Sequence, residues 1–158
     1  MDPAEIFDVT LRRVRECQAI AEGLRAATMI WAPTGGTRRV GNRVAEFVAE
    51  FALAGRQALG RNPRWRARAE LFRLYYAEGR PYSQAREDLA QFLKVDKLSP
   101  GTFDFWAAEI KKAVAPEIRR RGLFPPRLYF GECGPLEAER EARKAVRRLR
   151  GQRIRRRV

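Results

Sequence analysis

The chain has 158 residues, enough for one ordinary domain with a real core or a small domain with appendages, and its 45% apolar content excludes global disorder. A formal net charge of +14 and a pI near 11.0 favour polyanionic partners: DNA, RNA or an acidic membrane surface. Histidine is absent, which removes the commonest metal ligand and general base, so neither a metal site, nor a cofactor, nor an enzymatic centre is expected.

An amphipathic helix is predicted over residues 3–28. Asp2 before Pro3 suits an N-cap with proline at N1, and Ile6, Leu11 or Val14, Cys17, Ile20 and Leu24 recur at helical spacing. The run Ala32-Pro33-Thr34-Gly35-Gly36-Thr37-Arg38-Arg39 reads as a mobile loop with two arginines; it lacks the Gly-Lys-Ser/Thr ending of a phosphate-binding loop. Asn42 is expected to cap a second helix over 43–59, with an apolar stripe of Val44, Phe47, Val48, Phe51 and Leu59. Residues 1–62 thus form a helical hairpin suited to dimerisation or to contact with a partner.

A third helix is predicted over 64–77, with Trp65, Ala69, Phe72 and Tyr76 on one face and Glu78-Gly79-Arg80-Pro81 as its stop. Ser83 is expected to cap a fourth helix that buries Ala85, Leu89, Phe92 and Leu93 and ends near Leu93; residues 94–98 form the turn. Ser99-Pro100 opens a fifth, with Trp106, Ile110, Ala113 and Val114 inward, Pro116 within it and Gly122 at its end. Phe105 and Trp106 are adjacent and cannot both lie in one buried stripe. The aromatics Trp65, Phe72, Tyr75, Tyr76 and Phe92 read as core rather than as stacking platforms. Residues 123–130 read as an extended apolar strap lying back over the helices.

After Gly134-Pro135 a last helix is expected from Leu136, acidic at its start and basic at its end, followed by a disordered basic tail over 153–158. Between Arg140 and Val158 there are ten basic residues and one acid, which is +9 of the +14. Arginine outnumbers lysine 28 to 5 in the whole chain; arginine makes planar, bidentate contacts to phosphate and guanine, although a GC-rich coding bias gives the same excess. Lone cysteines at 17 and 133 form no CxxC pair, which fits a reducing interior. No apolar run reaches the roughly 18 residues of a membrane span, and the N-terminus has no signal-peptide pattern, so a cytoplasmic, nucleoid-associated protein without membrane contact is expected.

No segment alternates as a strand, and the expected fold class is all-α: a helical bundle containing a helix-turn-helix, with a basic C-terminal helix and arm. Three segments follow: the hairpin at 1–62, the helix-turn-helix domain at 63–131, and the basic helix and arm at 132–158. Leu71-Phe72-Arg73-Leu74-Tyr75-Tyr76-Ala77-Glu78-Gly79, Tyr82-Ser83-Gln84-Ala85-Arg86-Glu87-Asp88-Leu89-Ala90-Gln91-Phe92-Leu93 and Ser99-Pro100-Gly101-Thr102-Phe103 carry a resemblance. Together they resemble the DNA-binding tri-helix of sigma factor region 4 and of small phage-associated sigma-like regulators. Arg-Gly-Leu-Phe-Pro-Pro-Arg-Leu-Tyr-Phe, at 121–130, is similar to the ending of such proteins.

The resemblance implies a sequence-recognising, double-stranded-DNA-binding transcription regulator in which Ser99, Thr102 and Phe103 lie near the groove entrance. Lys111 and Lys112 would meet backbone phosphates, Ser83 would present a helix N-terminus to phosphate, and Arg80, Arg86, Lys94 and Lys97 would flank the duplex. The arm would add phosphate contacts through Arg143, Lys144, Arg147, Arg148, Arg150, Arg153, Arg155, Arg156 and Arg157. RNA polymerase or another protein is an implied partner, and the hairpin offers a route to a homo-oligomer. The turn at 94–98 is longer than the family's, and Asp104 and Glu109 place acids on the fifth helix. Two alternatives stand beside this reading: a packaging or assembly protein like a phage terminase small subunit, and an RNA- or ribosome-associated basic protein.

Overall fold

The computed structural model describes residues 1–31 and 42–130 together with Arg140 and Lys144, and for 23–31 and 42 the backbone alone. Helix α1 (Pro3–Trp31) and helix α2 (Asn42–Gly60) are the two predicted helices of the hairpin, each within a few residues of its expected ends. The expected glycine loop at 32–39 lies outside the described residues.

The third predicted helix is built of three different turns. Asn62 accepts a hydrogen bond from the Arg64 amide and caps a 3-10 turn (Pro63–Trp65); helix α3 (Arg66–Leu71) follows, and then a π-helical segment (Phe72–Ala77). The Glu78 amide donates to the Arg73 carbonyl over 2.9 Å, a bond to the fifth residue back, so this stretch is wider than an α-helix. Gly79 stops it at φ +74°. Helix α4 (Tyr82–Leu93) closes with Lys94 in the left-handed region, where the Lys94 amide donates to the carbonyls of Ala90 and Gln91. Helix α5 (Pro100–Arg120) runs through Pro116 without a break, with Arg121 as its C-cap and Gly122 beyond it at φ +71°. A short helix α6 (Arg127–Phe130) completes the described chain. The strap over 123–130 is therefore not extended: the chain bends at 124–125, where the Phe124-Pro125 peptide is cis, and amides of Leu128, Tyr129 and Phe130 return to Pro125 and Pro126 and close a turn. It does lie back over α2, with Phe130 and Tyr129 rings 4.9 and 5.2 Å from Phe47.

All described helices share one buried core. Aromatic rings form a chain through it: Phe51 to Phe7 at 5.6 Å, Phe7 to Tyr76 at 4.8 Å, Tyr76 to Tyr75 at 4.9 Å, Tyr75 to Phe103 at 5.5 Å and Phe103 to Tyr82 at 4.9 Å. Tilted and edge-on pairs of this kind add about 0.5–1.5 kcal/mol each beyond the area they bury. The chain joins α1 and α2 at one end to α4 and α5 at the other. Val44, Phe47 and Phe51 of α2 are filled from within the same chain, so the hairpin's apolar stripe is not a surface. Cys17 is also in the core, and burial pushes its thiol up to about 12.

Among the described residues one buried side-chain polar atom, Arg121 Nε, has no hydrogen-bond partner, and the other polar side chains of this interior are paired. The Thr10 hydroxyl donates to the Ile6 carbonyl over 2.8 Å. Glu117 on α5 takes two bonds from Arg120 at 3.1 and 2.9 Å and lies 3.6 Å from Arg61 of the loop after α2. Arg121 beside it reaches Glu50 of α2 over 2.6 Å. Among the described residues no helix is long and apolar enough to cross a membrane.

Gly55 is where α2 and the π segment meet. A Cβ there would stand 2.0 Å from the Phe72 ring. Helix propensity alone favours Gly→Ala by about 1 kcal/mol, but overpacking of this kind costs about 1–3 kcal/mol and wins, because Phe72 is itself locked among Phe7, Phe51 and Tyr76. Gly55→Ala is expected to lower stability in denaturant melts, whereas Gly60→Ala, which meets nothing within 4 Å, is expected to be neutral or better. Hydrogen bonding from Arg120 holds the Glu117 carboxyl below its ordinary value of 4.5. A depressed carboxyl contributes stability that is complete above the ordinary value and is lost as pH falls through the depressed one. Thermal midpoints of the native chain should therefore drop below pH 4.5, and Glu117→Gln should flatten that acid limb.

Candidate nucleic-acid interface

Ser99 builds the start of α5. Its backbone is extended at φ −68° and ψ 145°, its hydroxyl accepts from the Thr102 amide over 3.2 Å, and Pro100 follows at the first helical position. The Ser99 and Thr102 hydroxyls lie 2.8 Å apart. This is the cap that the sequence predicts, and it leaves the first turn of α5 at the surface. Ser83 is a correction. Helix α4 begins at Tyr82 with Pro81 as its N-cap and no side-chain cap bond, so Ser83 sits exposed inside the first turn. The physical reason is that Pro81, with φ −55° and ψ 148°, already has the extended geometry that enters a helix one residue earlier.

Phe103 is the second correction. It is 1% exposed and wedged between Tyr75 and Tyr82, so it anchors α5 to the core and has no face to offer a groove. The neighbouring Phe105 is 60% exposed instead. Gly101, Asp104, Phe105, Ala108 and Lys112 form one exposed stripe along α5, at the helical spacing the buried Phe103 and Ile110 leave on the opposite side.

Several basic residues placed at the interface by sequence are already engaged. The Arg80 guanidinium bonds Asp88 over 2.6 Å and pairs with Glu78 at 2.8 Å, and Arg80 in turn holds the Asp88 carboxyl below the usual range. Lys111 pairs with Asp8 of α1 over 2.8 Å and ties α5 to α1, so it does not lie free for phosphate. Arg86 packs over the Tyr82 ring at 5.8 Å and borders an open depression of about 290 Å³ with Gln91, Val95 and Lys97. Lys94, Lys97 and Lys112 are exposed. Arg140 and Lys144 are exposed and helical. Arg143, Arg147, Arg148, Arg150, Arg153, Arg155, Arg156 and Arg157 lie outside the described residues, as do the break at Gly134-Pro135 and the predicted start of the last helix at Leu136.

Glu109 does not confront the surface as a bare charge. Arg68 of α3 pairs with it, and the same guanidinium lies 5.0 Å from the Trp65 ring and 5.7 Å from the Trp106 ring. Arg66 lies over Phe92 at 4.8 Å. These cation–aromatic contacts lock the 3-10 turn and α3 against α4 and α5. The sequence stripe could place Trp65 and Trp106 in the interior, but the arginine between them depends on a helix crossing that no local pattern encodes. Among the described residues no three metal-ligating side chains converge.

Ser99 and Ser83 give a direct contrast. Ser99→Ala is expected to cost about 1 kcal/mol through loss of the cap, and Ser83→Ala about nothing, in matched chemical denaturation.

No family model, curated protein or solved structure matches this chain, so the functional reading rests on the geometry and charge above.

Proposed function

We propose that the protein binds double-stranded DNA, with the α3–α4–α5 block as a sigma-region-4-like helix-turn-helix, α5 as its recognition helix and the arginine-rich C-terminal segment as a phosphate-binding arm. It acts on this reading as a transcription regulator in the cytoplasm. The observation that carries the proposal is the exposed stripe of α5 beginning at a serine-capped, surface-facing N-terminus, with exposed lysines in the turn before it and at its far end. Lys94 and Lys97 lie in the turn before α5 and Lys112 lies three turns along it. A major groove about 12 Å wide admits such a helix end-first while flanking cations meet the backbones. The net charge of +14 supports a polyanionic partner, and the burial of the α2 stripe disfavours the packaging alternative, which needs an oligomerising hairpin.

The reading separates two contributions. Phosphate contacts position the protein and make binding salt-dependent, and α5 supplies recognition. Titration of labelled duplex DNA, single-stranded DNA and structured RNA over a salt series tests it. Duplex binding should survive replacement of the arm arginines from Arg147 to Arg157 by glutamine, at reduced affinity. The combined variant Lys94→Ala, Lys97→Ala, Lys112→Ala should then flatten the log affinity against log salt slope by up to about three units, one per lost phosphate contact. Binding that vanishes with the arm charges, or that is confined to RNA, sinks the helix-turn-helix reading.

A further inference from the structure

The exposed stripe of α5 carries one acid and one large apolar side chain where phosphate-binding surfaces carry neither. Asp104 Oδ1 accepts from the Tyr82 hydroxyl over 3.1 Å, which fixes the carboxylate in place and leaves Oδ2 for another donor. Tyr82 is itself held by Phe103 and Tyr75 at 4.9 and 6.1 Å, so the carboxylate is positioned from the core. Phe105 follows, 60% exposed. Gly101 and Ala108, a turn to either side, are small, and a Cβ at Gly101 would meet nothing within 4 Å. Nothing on the stripe between them stands taller than Asp104 and Phe105.

A carboxylate aimed at DNA is repelled by phosphate and is tolerated in a major groove where it accepts from the exocyclic amine of cytosine. An exposed phenyl ring there gains by covering the 5-methyl group of thymine, the one apolar projection on the groove floor. We propose that Asp104 and Phe105 are the base-reading pair of this protein, Asp104 selecting cytosine through its N4 amine and Phe105 selecting thymine through its methyl group at a neighbouring position. The inference rests on the duplex-DNA reading above. Tyr82 is a positioning residue in this arrangement: it holds the carboxylate and touches no base. Lys112, further along the same stripe, reaches the phosphates that border the read step.

Selection from a random duplex library with the full-length protein, followed by titration of the selected duplex, tests the pair. The enriched site should contain adjacent cytosine and thymine positions. Asp104→Asn should move the preference at the first position from cytosine to adenine by about tenfold, since an amide pairs with the adenine edge. Replacing the thymine by uracil should weaken the native protein several-fold and leave Phe105→Ala unaffected, and Tyr82→Phe should reduce the cytosine preference while affinity for random competitor stays constant. Asp104→Asn and Phe105→Ala, both at exposed positions, should melt as the native chain does, which keeps loss of folding apart from loss of reading. A selected site whose preferences survive Asp104→Asn and Phe105→Ala overturns the pair and leaves duplex binding standing. Absence of any enriched duplex, with binding to random duplex intact, likewise overturns the pair alone, whereas absence of all duplex binding overturns both.

Discussion

The π-helical segment ends by leaving carbonyls that its own turn cannot satisfy, and two side chains of α1 meet them. Arg15 Nη2 donates to the Tyr75 carbonyl and Gln18 Nε2 to the Ala77 carbonyl, each over 2.8 Å, and Arg15 Nη1 also donates to Gln18 Oε1 over 2.8 Å. Unpaired carbonyls at a helix end cost free energy when they are covered, and here the cover is the very element that satisfies them. Burial pulls the Arg15 guanidinium below its ordinary value, yet a guanidinium remains charged at any physiological pH, so it stays a strong donor. Gly79 completes the contact. A Cβ there would lie 2.6 Å from Arg15 Nη1, and the φ of +74° suits glycine on its own account. The stop between the third and fourth predicted helices is thus a docking point for α1 as well as a chain reversal.

That docking fixes the direction of everything after it. With the end of the π segment clamped to α1, Tyr76 meets Phe7 and Tyr75 meets Phe103, and Tyr82, the first residue of α4, is brought to Phe103 of α5. The position of α5 is then determined from both ends: by Phe103 against the two tyrosines near its start, and by Lys111, Arg121 and Glu117 against α1, α2 and the loop after α2 further along. A helix held this firmly presents one defined stripe to solvent. Precise presentation matters for a reader of base edges, which needs its side chains fixed by packing rather than by loops.

The helical periods and caps make most of this legible from sequence. Proline and serine at 99–100, glycine at 122 and the stripes of α1 and α2 place those elements within a few residues, because such signals are local. What sequence misses is set by contacts between distant segments. The π turn depends on Arg15 and Gln18, some sixty residues away in the chain. Phe103 follows the capped N-terminus and resembles a groove-side residue there, but Tyr75 and Tyr82 claim it once α3 and α4 cross. Arg80 and Lys111 read as spare cations, yet acids on other turns and another helix neutralise them. The order of helices can be read along the chain; which charges they consume cannot.

The division of charge bears on function. Several arginines of the body are spent on structure: Arg68 on Glu109 and two indoles, Arg80 on Asp88, Arg121 on Glu50. The body outside the last nineteen residues carries only +5, and most of the excess is concentrated after residue 139. A recognition helix with an acid on its exposed stripe would bind a polyanion poorly by itself. On the proposed reading, a strongly basic arm joined to it would supply the affinity by counterion release at any sequence. The stripe would then be free to carry groups, as proposed for Asp104 and Phe105, that cost affinity at most sites and recover it at few. Discrimination between sites is a difference of affinities, and a side chain that is unfavourable nearly everywhere contributes to that difference as directly as one that is favourable at a single step.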